Sequence, residues 1–323
     1  MPTAPLKLGP NQPLARPYRG GAGIAAFRGD GSTDPFTPED FIGSTTCVFG
    51  DDAVGLSHLP DGTLVRDAIQ ASPESWLGAA HVARFGADTA LLVKLLHTGE
   101  RLFNHVHPDA TFAARHLAAP RGKTESWIII DAPAGGGDVW LGFADGRVPA
   151  ELPQWFDAQD DVAMLGALQH YTVQPGDYVH VPAGTPHSIG PGITLVELQE
   201  PIDLSIILEY AGFPALSRES ALLGMDRDTA LAAVAGSAGI IGQVEDESFL
   251  PAEADTFYRA ERVRGGEALD AGFSVLVVLD GEGSLAGAPT VKGDTWLIPF
   301  GAGEVNLEGD LVAIRCRPPR VGA

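Results

Sequence analysis

A short pattern that occurs twice constrains this chain more than any other feature. Gly176-Asp177 is followed by four residues and then Pro182-Ala-Gly184. Gly293-Asp294 is followed by four residues and then Pro299-Phe-Gly301. In each copy a Gly-Asp turn launches a strand-length run that a Pro-X-Gly turn ends, a signature of short antiparallel strands. Two copies 117 residues apart predict two β units of one kind. With 40 glycines and 25 prolines among 323 residues and no Gly-X-Y period, the remainder is turn-dense rather than fibrous. The expected fold class is mainly β, with two small barrels or sandwiches.

Between the copies the pattern changes. Ser217–Leu223 and Asp226–Ala235 read as short helices capped by Ser217 and Asp226. The expected organisation is a first β domain over residues 1–213, a helical insertion over 214–238 and a second β domain over 239–323. Within the first, Pro73–Phe85, Pro108–Leu117 and Gln154–Leu168 read as helices. Ala90–Leu96 and Leu102–Val106 read as a paired hairpin turning at Thr98-Gly-Glu.

Charge narrows the partners. The 42 acidic residues outnumber 21 basic ones for a net charge of −21, which gives no footprint for nucleic acid and argues against an anionic membrane surface. The two cysteines, Cys47 and Cys316, cannot build a disulfide scaffold. No stretch is long and apolar enough for a signal or a membrane span, so the expected location is the cytoplasm.

All nine histidines lie at or before His187, so histidine chemistry belongs to the first domain. His105 and His107, at i and i+2 on a strand, share a face. Glu125 opens another strand, and His187 follows the Pro182-Ala-Gly184 turn. Three imidazoles and a carboxylate suit a first-row divalent metal.

This combination resembles the two motifs of the cupin superfamily, which implies two double-stranded β-helix (jelly-roll) barrels. Longer runs resemble the type I mannose-6-phosphate isomerase family in its short bacterial form. They are Leu91-Leu-Val-Lys94, Val106-His107-Pro108-Asp109, Gly122-Lys123-Thr124-Glu125-Ser-Trp127, Val181-Pro-Ala-Gly-Thr-Pro-His187, Glu197-Leu-Gln199 with Asp203, and Gly309-Asp310 with Arg317-Pro318-Pro319. The resemblance implies a metal-dependent aldose–ketose isomerase acting on a sugar or sugar phosphate. It makes His107, Glu125 and His187 metal ligands, with His105 in the slot of a family glutamine. The implied metal is zinc, with manganese, iron, nickel and cobalt as alternatives. Lys123 and Glu197 become catalytic groups, and Lys94 a substrate-binding one. The second barrel, with no histidine, is expected to be a metal-free scaffold.

Other family positions differ. Phe103 stands for a serine associated with the phosphate, and Ile207 for the active-site arginine. The amino-terminal Trp-Gly-Gly and Gly-Glu-Ser-Trp signatures fall on Arg19-Gly20-Gly21 and Ile42-Gly43-Ser44-Thr45. These losses tilt the expected substrate towards an unphosphorylated or modified sugar. Two further classes fit the ligand set: a cupin oxygenase or lyase using iron or manganese, and a sugar-binding homologue without catalysis.

Overall fold

The computed structural model describes residues 2–32, 34–244 and 247–321. The fold is mainly β. Its strands are β1 (Leu6–Leu8), β2 (Glu39–Ile42), β3 (Leu92–His97), β4 (His105–Val106), β5 (Glu125–Asp131) and β6 (Gly137–Phe143). Then come β7 (Leu168–Val173), β8 (Asp177–Val181), β9 (His187–Ile189), β10 (Thr194–Gln199), β11 (Ile206–Ile207) and β12 (Ile240–Gln243). The last six are β13 (Arg259–Arg264), β14 (Ala268–Leu269), β15 (Ser274–Leu285), β16 (Ala288–Val291), β17 (Thr295–Ile298) and β18 (Val305–Arg317).

Two antiparallel sheets make the first barrel. One runs β12-β8-β5-β10-β3-β2 and the other β11-β4-β9-β6-β7. Alternation along β5 shows why: Trp127 and Ile129 turn into the barrel with Leu141, Val181 and Leu195, while Ile128 turns out. On the outward face Ile128, Val93, Leu95 and Val196 pack against Val275, Val277, Leu297 and Ile314 of the carboxy-terminal sheet. The two barrels therefore stand back to back across an apolar layer. Inside the second barrel Leu276, Val278, Trp296, Ile298, Leu307 and Ala313 form a separate core.

Chain exchange ties the units together. β1 pairs with β17 of the carboxy-terminal sheet, and β12 pairs with β8 of the first barrel. Helices Arg218–Ala221 and Arg227–Leu231 are capped by Ser217 and Asp226, whose side chains accept from the backbone N–H groups of Ser220 and Thr229. They cover the outer side of the five-stranded sheet through Leu222, Leu231 and Val234. No helix among the described residues is long and apolar enough to cross a membrane.

Several local expectations are corrected. The helix expected over Pro73–Phe85 is two, Pro73–Leu77 and Ala79–Phe85, because Gly78 adopts φ 86° and ψ 147° against the ring of Phe300. The helix expected over Gln154–Leu168 divides at Gln159, whose left-handed backbone (φ 51°) is fixed by its side chain bridging Phe156 and Tyr210. β3 and β4 do not pair with each other. β3 lies between β2 and β10, whereas β4 crosses to the other sheet between β9 and β11. Thr98 makes that crossing stable, since its hydroxyl donates to the Gly190 carbonyl at 2.6 Å and its own N–H to that of Ile193.

Candidate active site

The crossing of β4 into the second sheet sets His105 directly opposite His187 on β9. His107 follows one residue beyond β4, where its carbonyl accepts from the N–H of Gly184 at 2.7 Å. The Pro182-Ala-Gly184 turn is thereby locked to the His-X-His strand, and the three rings meet with centroids 4.0–5.0 Å apart. All three are buried, and ligand atoms from each lie within 4.8 Å of one another.

Each ring is oriented by the same device. Nδ1 of His105 faces the carbonyl of Phe103 at 3.0 Å, that of His107 the carbonyl of Leu204 at 2.9 Å, and that of His187 the carbonyl of Thr185 at 2.9 Å. A carbonyl accepts only, so Nδ1 carries the hydrogen, and in a neutral ring Nε2 then presents its lone pair. Burial, with the Lys123 ammonium, holds the His107 imidazole down to about 3. Burial and the other two rings hold His105 well below its ordinary value.

Glu125, at the start of β5, faces this group. Its two oxygens lie 3.1 Å from Nε2 of His107 and 3.2 Å from Nε2 of His187, and the Trp127 indole donates to it at 2.9 Å. The Nε2 atoms of His107 and His187 have no hydrogen-bond partner. The lone pair of the neutral His107 ring thus points at the Glu125 carboxylate, which Lys123 holds well below its ordinary range against burial, so a buried acceptor faces an acceptor. A cation between them resolves it. The three clustered histidine nitrogens, with the Glu125 carboxylate against two of them, are donors of the kind that suit a first-row divalent ion, so the residues present fit a metal.

A chain of alternating charge leads away from Glu125. Lys123 Nζ lies 2.9 Å from Glu125 and 3.4 Å from Glu197. Lys94 Nζ is 3.9 Å from Glu197, 2.7 Å from Asp203 and 3.8 Å from Glu39. Arg16 closes the chain, 2.5 Å from Glu39 and 3.1 Å from Asp203. Burial pushes the Glu197 carboxyl up to about 7; Lys123 opposes this and Glu125 reinforces it. Burial works against the charge on Lys123, but Glu125, Glu197 and Asp203 outweigh it and hold the ammonium above its ordinary range.

The cleft beside the histidines is lined by Arg16, Glu39, Lys123, Glu125, Glu197 and Asp203 together with Tyr18, Leu96, Leu102, Phe103 and Ile189, while Lys94 is buried behind it. Every singled-out residue lies at this cleft or directly behind it. Arg16, Tyr18 and Glu39 are the ones the sequence reading missed. They arrive on the irregular amino-terminal segment and on β2, and a faint signal existed: the acidic pair Glu39-Asp40 opens a strand that continues as Phe41-Ile42.

No protein-family model matches the chain. Among curated proteins it is 33% identical over 154 residues to the mannose-6-phosphate isomerase of Streptococcus mutans, covering 46% of this chain and 47% of that protein. It is 28% identical over 233 residues to the mannose-6-phosphate isomerase ManA of Bacillus subtilis, covering 68% and 72%. The match to the first spans about half of that relative's length. In three dimensions it superposes on the crystal structure of the Bacillus subtilis mannose 6-phosphate isomerase with a TM-score of 0.77 at 21% identity, over 97% of this chain and 99% of that one. A mannose 6-phosphate isomerase bound with zinc and yttrium superposes with a TM-score of 0.72 at 14% identity, over 98% and 100%. At such identities the structural likeness is one of fold. The chain is similar in sequence to these curated mannose-6-phosphate isomerases and shares the fold of the solved ones.

Two apolar residues shape the histidine side of the cleft. Ile207 is the cross-strand partner of His105, so its apolar side chain shares the face of that ring. Phe103 packs edge-on against Tyr18, His105 and Phe213, at centroid distances of 5.9, 5.3 and 5.2 Å. The acidic residue that β2 delivers to the cleft is Glu39, upstream of the Ile42–Thr45 segment on which the family signature was placed. The guanidinium at the cleft is Arg16, from the other end of the chain.

Proposed function

We propose that this protein is a metal-dependent aldose–ketose isomerase. The observation that carries this reading is the pair of bare Nε2 atoms facing Glu125, immediately beside a carboxyl near neutrality and a paired lysine. His105, His107, Glu125 and His187 would hold one divalent ion, and we assign zinc from the three-nitrogen, one-oxygen donor set. When bound, the ion supplies Lewis-acid polarisation of substrate oxygens.

The remaining steps fall to the chain itself. Glu197, ionised, takes the proton from C2 of the open aldose. Lys123 donates a proton to O1, giving a neutral enediol. Lys123 then takes back a proton from the 2-hydroxyl while Glu197 returns its proton to C1, which leaves the ketose and both groups as they began. A base near neutrality suits this two-way transfer. Lys94 and Asp203 position the Glu197 side of the cleft.

The substrate we infer is a neutral sugar, preferred over its 6-phosphate. Each cation at or behind the cleft is already paired: Arg16 with Glu39 and Asp203, the buried Lys94 with Asp203, and Lys123 with Glu125. Sugar hydroxyls can both donate to such carboxylates and accept from such cations, whereas a phosphate dianion must displace a carboxylate to gain its charge-assisted bonds, each worth about 1.5–3 kcal/mol. Phe103 and Ile207 add no donor. Steady-state kinetics on mannose and mannose 6-phosphate with metal-replete protein test both parts. No ketose from either refutes the isomerase, and a higher kcat/KM for the phosphate refutes the substrate preference.

A further inference from the structure

The second barrel carries a polar cluster where the first carries its candidate active site, and strand registers establish the correspondence. The repeated turn equates Val181 with Ile298, each five residues after its glycine. Val181 pairs with Glu125 and Ile298 with Ser274, so Ser274 occupies the place of Glu125. Two residues on, Trp127 pairs with Glu197 and Leu276 with Arg315, so Arg315 stands in the place of Glu197. Glu197 pairs with Lys94 and Arg315 with Glu261. The lysine–glutamate pair of the first barrel has become a glutamate–arginine pair in the second.

Around that reversed pair the charge is cationic. Arg259 and Arg317 lie directly opposite each other on β13 and β18, a like-charge cross-strand pair. Three guanidiniums, Arg259, Arg315 and Arg317, converge on two carboxylates, Glu261 and Asp270, in a chain whose net charge is −21. Arg315 donates to Asp270 Oδ1 at 2.6 Å, to its carbonyl at 2.6 Å and to the Ser274 hydroxyl at 3.2 Å. Arg317 donates to both oxygens of Asp270 at 2.8 and 2.9 Å, while its Nε has no acceptor. Burial and the charge of Arg317 hold the Arg315 guanidinium below its ordinary range. Gly272, where the first barrel has Lys123, leaves room for the fork, since a Cβ there would lie 2.4 Å from Arg317 Nη2.

Asp270 is the weak point of this cluster as a closed network. Its side chain is 67% exposed, against 2% for Arg315 and 13% for Arg317, and it lies in the connection between β14 and β15. It already holds a bidentate anion position between one buried and one partly buried fork, and outward rotation would leave three arginines facing one glutamate. That excess of two positive charges matches a dianion, and paired guanidinium forks match its oxygens.

We propose that the mouth of the second barrel is a binding site for a phosphate-type dianion, held by Arg259, Arg315 and Arg317 with Asp270 as the internal carboxylate it displaces. Metal-loaded full-length protein is titrated with inorganic phosphate, against chloride at matched ionic strength, by calorimetry and thermal melting. The wild type binds and melts higher in phosphate. Arg317→Gln weakens binding at least tenfold, and Asp270→Asn, which removes the competing carboxylate, tightens it by a similar factor. Replacing inorganic phosphate by glycerol phosphate distinguishes a site for the free ion from one for the end of a phosphorylated metabolite. Absence of phosphate binding beyond the chloride control overturns the proposal. So does binding that is unchanged in both variants, which would locate the anion in the first barrel.

Discussion

Asp203 neutralises two cations at once, and Asp203→Asn tests how much the charge chain contributes to stability. Its carboxylate lies 2.7 Å from Lys94 Nζ and 3.1 Å from Arg16 Nη2, and all three groups are largely buried. Burial alone would raise its pKa, but Lys94 and Arg16 overcome this and hold the carboxyl well below the usual carboxylate range. Breaking a buried pair by removing one partner typically costs about 3–5 kcal/mol. The lower end applies here, because Glu39 remains 3.8 Å from Lys94 and 2.5 Å from Arg16. At about 2 °C per kcal/mol for a large domain, a loss of about 3 kcal/mol lowers the melting temperature by about 6 °C. A depressed folded-state pKa stabilises fully above the unfolded value and is lost as pH falls through the folded one. The deficit of the variant is therefore constant above about pH 5 and shrinks below about pH 4. Calorimetry of metal-free and metal-loaded protein measures it. A Lys94→Met change should cost less in the Asp203→Asn background than in the wild type, since the two share one interaction. Melting of Asp203→Asn within about 1 °C of wild type, with additive effects in the double variant, refutes the reasoning.

Three other outcomes follow from the same geometry. His107→Ala combined with His187→Ala should leave the protein unable to retain zinc through dialysis, and elemental analysis showing one ion per chain would remove the ligand assignment. Metal-free protein should lose stability as pH falls below about 6.5, because the unfolded chain takes up protons that buried His105 and His107 refuse, at up to about 1.4 kcal/mol per pH unit for each; unchanged melting between pH 7 and 5 would contradict it. Glu197→Gln should lower kcat by about 10²–10⁴-fold while metal content stays at the wild-type level, and a smaller loss would assign the proton transfer to another group.

What could be read in the sequence, and what could not, follows from the range of the interactions involved. His105 with His107 and the Pro182-Ala-Gly184 turn before His187 are local patterns, and each encodes its own backbone geometry. Their convergence with Glu125 follows once one barrel is assumed. The helix caps Ser217 and Asp226 were legible for the same reason. By contrast, the break at Gly78 depends on the ring of Phe300, more than two hundred residues away, and the separation of β3 from β4 depends on Thr98 reaching Gly190 and Ile193. The amino-terminal strand that completes the second barrel's sheet, and the return of β12 to the first, carry no signature of the partner they choose.

The charge chain shows where this distinction matters for function. From the sequence, loss of the family arginine at Ile207 reads as loss of a cation. In space the cleft has a guanidinium, contributed by Arg16 from a proline-rich segment with no periodicity to read. A position-by-position comparison does not connect the two, because Arg16 lies 191 residues from Ile207. Yet Arg16 does not restore what an unpaired arginine would provide, since Glu39 and Asp203 hold its fork. The cations lining the cleft, Arg16 and Lys123, therefore each stand against two carboxylates. That is a stronger argument for a neutral polyhydroxyl substrate than the absence of an arginine would have been. It also places the discriminating experiment at Arg16's partners: releasing the guanidinium with Glu39→Gln should raise kcat/KM for a phosphorylated sugar relative to the neutral one, and an unchanged ratio would mean that charge commitment does not set the preference.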